Sequence, residues 1–518
     1  MWSKLHERAK IIWKSPLFWI FVLAVAVRAY AVSGNFVVFY FDQARDAILS
    51  RSIYENGDLR ILGPSASGTG DVFYHGVLFY YLIGLLYVLF AGEPMLVSMA
   101  LGVIHSLGVL FLYLLGRDVF KSRTVGLCAA FFYAVNTYSV SFGTWLSNPF
   151  WAPMTIAGMY YCLWRGIFER EYKYLIGAAL FLGLTNQAAL FTVYLLPTVL
   201  LMLVGLLWKV GWKNYPWREV LIGGCVYLIT TSSMIIGTLM LWSRGIGKTV
   251  EGNQPLVSID WQNLWSTVWT TYTFAAGQSL FPNWGIWAAT VIVVVTAWGI
   301  YSNRSAKQRV WGSIYLLAPI ILLLLMPRRD AHTLAGVTNL FYLAMAIMLM
   351  QIAMLRTWGR VLAGMLLFGY FGLQVISLIN VRTTKNHPLV VQRGAVLSDQ
   401  IAAMEYIYNS ANGAPFSIST LTNPYATNTT WAYLFSWYGE KHFGYRPKFL
   451  GNDQVGMFGA ELLERTSAAE AYHYSILEPL DGIPKNAQEI FEGEQNNVGE
   501  VSSVEMFGDL MVQKRAKY

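Results

Sequence analysis

The sequence predicts an α-helical polytopic membrane protein with a small external α/β domain at its C-terminal end. Three observations carry that expectation. Hydrophobic residues make up 55% of the 518 and charged residues only 13%, where globular chains hold roughly 25% charge. The mean hydropathy is +0.44, too apolar for a soluble chain that must cover its surface with charge. Runs without Asp, Glu, Lys or Arg recur up to about residue 381, and charge returns from about 382. The expected parts are therefore 1–381 in the membrane and 382–518 outside it.

The first span is expected at about 16–33, behind the basic Lys4, Arg8, Lys10 and Lys14. No small-residue cleavage site follows it, so it reads as an uncleaved span rather than a signal peptide. Further uncharged runs cover roughly 72–92, 94–116, 124–164, 174–208, 220–243, 310–327, 331–355 and 361–381. Each is near or above the ~20 residues that a helix needs to cross a bilayer. The runs 124–164 and 174–208 are long enough for two helices each. Asn148-Pro149 divides the first, and Asn186-Gln187 marks the expected bend in the second. With a segment at about 285–302 there are roughly twelve apolar segments.

Loop charge sets orientation. The formal charge of +8 could suggest a nucleic-acid partner, but the basic residues sit in short loops between apolar runs. That is the positive-inside pattern and not a nucleic-acid face. Clusters at 117–123, 165–173, 209–218, 304–309 and 356–360 join the basic N-terminus on the cytoplasmic side. Three apolar segments before residue 117 would place the first of these clusters outside. The parity is restored if 76–92, rich in Phe and Tyr, lies at the outer interface without crossing. The expectation is then about eleven transmembrane helices plus juxtamembrane helices in the plasma membrane. The N-terminus is inside and the C-terminal domain outside.

Four regions gather outside on this topology: the first loop (34–94), the turn Trp145–Pro149, the loop 243–284, and the turn Arg328–His332. In the 243–284 loop, Trp261, Leu264, Trp265, Val268, Trp269 and Tyr272 recur at helical spacing. A helix lying flat on the membrane is expected there, although a core helix has the same pattern. In the external domain, strands are expected at Phe416–Thr420, Tyr474–Glu478 and Asp509–Gln513, and helices near 398–410 and 484–492. Cys128, Cys162 and Cys225 all lie in apolar runs, with no disulfide framework or metal spacing.

Few residues carry the chemistry for a reaction. Asp42 and Asp46 are four apart, so on a helix they share a face. Such a pair serves as a general base or a cation site, and a solvated helix face has the same spacing. Arg328 and Arg329 stand outside, against the positive-inside bias, and their planar guanidinium groups suit phosphate or carboxylate at the headgroup level. Nonspecific headgroup contact is the alternative. His75 and His332 lie at the same level. Arg28, near the outer end of the first span, is expected to snorkel to the interface, and Gln187 to bond across helices. No nucleotide-binding, zinc-protease or paired-cysteine motif is present.

The segment from Asp42 to Asp58 resembles the first-loop signature of the GT-C glycosyltransferases, in the branch of protein O-mannosyltransferases and lipid A aminoarabinose transferases. Asp42, Ala47, Arg51, Gly57 and Asp58 fall at the matching spacings. The stretch from His75 to Tyr80 resembles that family's His-Pro-Pro-Leu-Tyr-Tyr, which begins a juxtamembrane helix. Tyr113-Leu114-Leu115-Gly116-Arg117 matches its Tyr-Leu-Leu-Gly-Arg. Gln43 stands where the family has Glu, Ser50 precedes Arg51 where it has Ala, and neither proline of His-Pro-Pro is kept.

The resemblance implies transfer of a sugar from a polyprenyl-phosphate-linked donor to an acceptor glycan, lipid or protein on the outer face. Asp42 is the implied catalytic base and takes the acceptor's proton; Asp46, one turn on, is the second catalytic candidate by its spacing. Arg328, Arg329, His75 and His332 are the candidates for the donor phosphate, and Arg45, Tyr80 and Asn148 for acceptor or lipid contact. A phosphate leaves readily, so no metal or other cofactor is required. Membrane lipids are the remaining partners. The rival class is a transporter or lipid flippase, which needs polar residues near mid-membrane and an internal repeat. A scaffold for the outer domain needs no acids in the first loop.

Overall fold

The computed structural model describes residues 14–66, 73–244, 264–280, 285–302, 304–325, 336–390, 392, 394–451 and 457–517. The chain divides into two compact units. One comprises residues up to Ala31, Arg60–Phe79 and Met99–Thr383. The other comprises Val32–Leu59, Tyr80–Ser98 and Thr384–Tyr518.

In chain order the helices begin with α1 (Pro16–Val32), α2 (Phe41–Glu55), α3 (Leu78–Leu89), α4 (Pro94–Ser106) and α5 (Gly108–Leu114). Then come α6 (Arg123–Val135), α7 (Thr137–Thr144), α8 (Ala152–Leu163), α9 (Tyr174–Ala188), α10 (Leu195–Val210) and α11 (Trp217–Ser243). They continue with α12 (Leu264–Leu280), α13 (Gly285–Tyr301), α14 (Ala306–Leu325), α15 (Val337–Met354) and α16 (Thr357–Thr384). Among the described residues, six helical stretches are long and apolar enough to cross a membrane, or seven if the bent pair α6–α7 is one span. The 12-residue α3 is shorter than a bilayer crossing. In α12, Trp265 and Trp269 are exposed while Tyr272, Ala275 and Ala276 are buried.

The first long run has a break beyond the expected one, and the second breaks beside the expected bend. Besides the turn at Asn148-Pro149, the first long run bends by 61° between α6 and α7. Asn136 sits in the break with extended backbone, and its Oδ1 accepts from Ser139 N at 3.0 Å, capping α7. Short amide side chains compete with the helical ladder in this way. In the second long run the chain leaves the helix at Ala189, with φ −149° and ψ 113°, just after Asn186-Gln187. Gln187 bonds across helices, as expected. Its Nε2 donates to Thr230 O at 2.6 Å and Ser233 Oγ at 3.0 Å, and its Oε1 accepts from Leu78 N at 3.3 Å.

Arg28 also departs from expectation. It does not snorkel; it is 1% exposed. Its Nη1 donates to Ala24 O at 3.0 Å and Ala134 O at 3.1 Å, and its Nη2 donates to Ser139 Oγ at 3.0 Å and His105 Nδ1 at 3.1 Å. The carbonyls at the end of α6 have lost their helical partners, and that end carries the negative pole of the helix. A guanidinium satisfies several such groups at once, which an apolar surrounding demands.

The second unit holds α17 (Leu397–Ala411), β1 (Phe416–Leu421), α18 (Thr429–Leu434), α19 (Glu440–Phe443), β2 (Lys448–Phe449), β3 (Tyr472–Leu477), α20 (Lys485–Asn496), β4 (Gly499–Phe507) and β5 (Leu510–Lys517). The sheet order is β2-β1-β3-β5-β4, with β1 parallel to β2 and β3, and β5 antiparallel to β3 and β4. The period-2 pattern sorts its faces. Phe416 and Tyr474 pack edge to face at 5.6 Å, and Tyr408 of α17 meets Phe416 at 5.0 Å. On the other face Leu421, Ile483 and Phe491 form a small core under α20. The three expected strands and two expected helices are present. β2 has two residues, and β4 is an edge strand exposed along most of its length; neither offers a periodic signal.

The first loop folds into this unit. Phe39 N donates to Ala395 O at 2.6 Å and Leu397 N to Val37 O at 2.9 Å, pairing the approach to α2 with the approach to α17. Gln400 Nε2 donates to Phe39 O at 2.7 Å, and Tyr433 OH to Gly92 O at 2.7 Å.

Candidate active site

Helix α2 starts where Tyr40 adopts extended backbone (φ −141°) and Gln43 Oε1 reaches back to Tyr40 N at 3.3 Å. This is the backward half of a capping box, and the Gln three residues on is its sequence signal. Asp42 lies in the first turn, where the helix dipole favours an acid. Its side chain is 43% exposed. Asp46, one turn later, is buried at 3%.

Arg45 joins the two acids. Nη1 donates to Asp42 Oδ1 at 2.8 Å, while Nε and Nη2 donate to Asp46 Oδ1 at 2.9 and 2.8 Å. Its guanidinium carbon lies 5.7 Å from the Phe41 ring centre. Burial works against the Arg45 charge, but Asp46, Tyr80 and Asp42 outweigh it and hold the group cationic. Burial pushes the Asp46 carboxyl up to about 6, against the pull of Arg45; the Asp42 charge adds to the rise, and Tyr80 opposes it.

Tyr80 OH donates to Asp46 Oδ1 at 3.0 Å. A close crossing of α2 and α3 makes this reach possible. A Cβ on Gly84 would lie 2.2 Å from Ser50 O, so only glycine lets the two helices approach there. Tyr80 and Gly84 are one turn apart on α3, as Asp46 and Ser50 are on α2, so the two contacts are successive rungs of one crossing. The i, i+3 pairing of Asp42 with Arg45 is legible in the sequence. Tyr80, 34 residues from Asp46, gives no such signal.

Asp42, Arg45, Asp46 and Tyr80 thus converge within one unit. His75 and Asn148 belong to the other. His75 is buried, accepts at Nδ1 from Leu190 N at 3.0 Å, and meets the Phe191 ring edge to face at 6.0 Å. An Nδ1 that accepts leaves the ring proton on Nε2. The Asn148 amide donates to Ala188 O, and Trp151 Nε1 donates to Leu184 O at 2.8 Å, tying that turn to the end of α9. Arg328, Arg329 and His332 lie outside the described residues. Among the described residues no three His, Cys, Asp or Glu side chains cluster as metal ligands.

Chemically, the cluster holds one solvent-facing carboxylate at a fixed position. Asp42 can accept a proton from a hydroxyl. Arg45 is locked by a buried carboxylate behind it, so it orients Asp42 without being free to swing.

No family model and no curated protein matches the chain. Among solved structures it is similar to ArnT from Cupriavidus metallidurans bound to undecaprenyl phosphate, with 12% identity, 96% of this chain and 97% of that chain covered, and a TM-score of 0.49. It is also similar to the oligosaccharyltransferase AglB from Archaeoglobus fulgidus in complex with an inhibitory peptide and a dolichol-phosphate, with 12% identity, 93% and 72% covered, and a TM-score of 0.47. A structure of the Archaeoglobus fulgidus oligosaccharyltransferase tethered with an acceptor peptide has 12% identity, 98% and 74% covered, and a TM-score of 0.48.

Proposed function

We propose that the chain is a multi-pass membrane glycosyltransferase of GT-C type, transferring a sugar from a polyprenyl-phosphate-linked donor to an acceptor on the outer face of the membrane. The observation that carries this reading is the half-exposed Asp42 carboxylate fixed by Arg45, which is itself clamped to the buried Asp46. In the reaction the acceptor hydroxyl oxygen attacks the anomeric carbon, and Asp42 takes the hydroxyl proton. The bond from that carbon to the phosphate oxygen breaks, and the electron pair leaves with polyprenyl phosphate. Asp46, Tyr80 and Arg45 hold the base in place. Arg328, Arg329 and His332 are proposed to meet the charge gained by the phosphate; His75 would do so through Nε2, because its Nδ1 is engaged by Leu190 N.

Three features support this assignment: the first-loop resemblance, the apolar spans, and solved neighbours that hold undecaprenyl or dolichol phosphate. The proposed topology has about eleven spans, a cytoplasmic N-terminus and an extracytoplasmic C-terminal domain. The test is mass spectrometry of lipid copurifying with the protein, followed by transfer assays with labelled polyprenyl-phosphate sugars. A copurified polyprenyl-phosphate sugar and label moving to an acceptor are expected. Absence of both overturns the reading.

The transporter reading gains one observation, a buried polar cluster around the broken α6–α7 pair. There Asn136 Nδ2 donates to Tyr370 OH at 3.0 Å, and Thr137 N donates to Gln374 Oε1 at 2.9 Å. These groups are spent on one another, as are both terminal nitrogens of Arg28, so the cluster serves better as a brace than as a cargo site.

A further inference from the structure

At the carboxyl ends of β1 and β2 the second unit has an open cleft of 180 Å³. The strand order reverses at β1: the chain passes from β1 to β2 on one side and returns to β3 on the other. In open α/β sheets, ligands settle outside the carboxyl ends of the strands at such a reversal. Residues 425–427, which follow β1, and α20 line the cleft.

The lining combines an apolar rim with oriented polar groups. Tyr425 and Ile490 are 51% and 58% exposed at the cleft. Glu494 and Gln495 supply carboxylate and amide, and the Ser419 and Thr427 hydroxyls, which donate to Leu450 O and Pro424 O, add acceptor lone pairs. Gln495 is buried, and a network sets its orientation. Its Oε1 lies 2.9 Å from His473 Nε2 and accepts from Ser475 Oγ at 2.7 Å. His473 Nδ1 is 2.8 Å from Ser417 Oγ, and Arg515 Nε donates to Ser475 Oγ at 3.1 Å. With the oxygen committed, the Gln495 amide nitrogen has two donors and makes no hydrogen bond among the described residues.

An exposed ring beside a fixed amide donor, a carboxylate and hydroxyls matches a small polyhydroxylated ring. Its C–H face covers the aromatic, and its hydroxyls both donate and accept. A nucleotide or phosphate ligand would call for a cation, and among the residues lining the cleft there is none. We propose that this cleft is a sugar-binding site, with Tyr425 as the stacking platform and Gln495 as the oriented donor. It would hold part of the acceptor, making the acceptor a glycan; that second clause rests on the transferase reading.

The test uses the full chain in lipid nanodiscs, because maltoside or glucoside detergents would compete. Maltotriose, cellotriose, mannotriose and chitotriose are offered in turn, and binding is followed by saturation-transfer NMR and titration calorimetry. At least one should bind, and Tyr425→Ala should weaken it about tenfold or more. Gln495→Leu should do the same. Tyr425 is a surface residue, so its variant stays folded even if Gln495→Leu does not. Asp42→Asn should leave saccharide affinity unchanged while transfer falls by roughly 10²–10⁴, which separates failure of this site from failure of the transferase reading. Binding of none of the four, or wild-type affinity in Tyr425→Ala, overturns the proposal.

Discussion

Tyr80 donates its hydroxyl to the same oxygen of Asp46 that Arg45 grips, at 3.0 Å. Three donors on one buried oxygen leave Asp46 no role as a mobile base. They make it the anchor through which Arg45 positions Asp42, one turn earlier and open to solvent.

Asp42→Asn should therefore preserve folding and donor binding while turnover falls by roughly 10²–10⁴, the scale for losing a general base. Asp46→Asn strips Arg45 of its buried counter-charge and should cost stability, about 3–5 kcal/mol as for a broken buried pair. Single-turnover rates at saturating donor, with thermal unfolding of each variant, separate the two. A fully active Asp42→Asn enzyme would end the proposed mechanism.

The crossing at Gly84 offers an indirect route to the same site. Gly84→Ala places a methyl 2.2 Å from Ser50 O, so α3 must move and Tyr80 loses its reach. Overpacking of this kind costs about 1–3 kcal/mol, and kcat should fall although residue 84 touches no substrate. Gly205, with nothing within 4 Å of its Cβ position, is the control: its Ala variant should match wild type.

Arg28→Leu should lower the unfolding temperature sharply. Each buried acceptor left bare costs about 1–3 kcal/mol, and Arg28 serves Ala24, Ala134, His105 and Ser139. Lys offers fewer directed donors and should fall between Arg and Leu. Equal stability of the Leu variant would remove Arg28 as the brace of the broken helix.

Glu478 gives the second unit a pH signature. It is 4% exposed, and burial pushes its carboxyl up to about 7, although Asn423 N, Trp431 and Gln392 donate to it. The ordinary value is 4.5, so the folded chain holds this proton more tightly than the unfolded chain. The contribution is complete below about pH 4.5 and is lost as pH rises through 7. Between pH 5 and 8 the wild type should lose roughly 2–3 kcal/mol more than Glu478→Gln. Parallel stability curves for the two proteins would contradict the assignment.

Loop charge makes its own prediction. In a background lacking Cys128, Cys162 and Cys225, single cysteines at Ser122 and Gln308 should be shielded from an impermeant thiol reagent in intact cells. One at Ser410 should react. Labelling at Ser122 would mean that the 76–92 segment crosses, and the proposed geometry of the Asp42 centre, which needs Tyr80 at the outer interface, would collapse.

The sequence alone determined the membrane class, most span boundaries, the strands expected at Phe416–Thr420 and Tyr474–Glu478, and the Asp42–Arg45–Asp46 spacing. These properties are local: composition decides solvent, and periods of 3.6 and 2 decide helix and strand. Only the tertiary structure decided that Tyr80 completes the acid cluster, that Arg28 turns inward to the end of α6, and that His75 spends Nδ1 on Leu190. It also decided that Asn136, and not only Asn148-Pro149, breaks the first long run. The first three are each set by a hydrogen-bond partner between 34 and 115 residues away in sequence, whereas Asn136 acts by capping α7 through Ser139, three residues on. A buried polar group takes whichever partner packing brings within 3 Å or so, and no local pattern in the chain encodes which one that is.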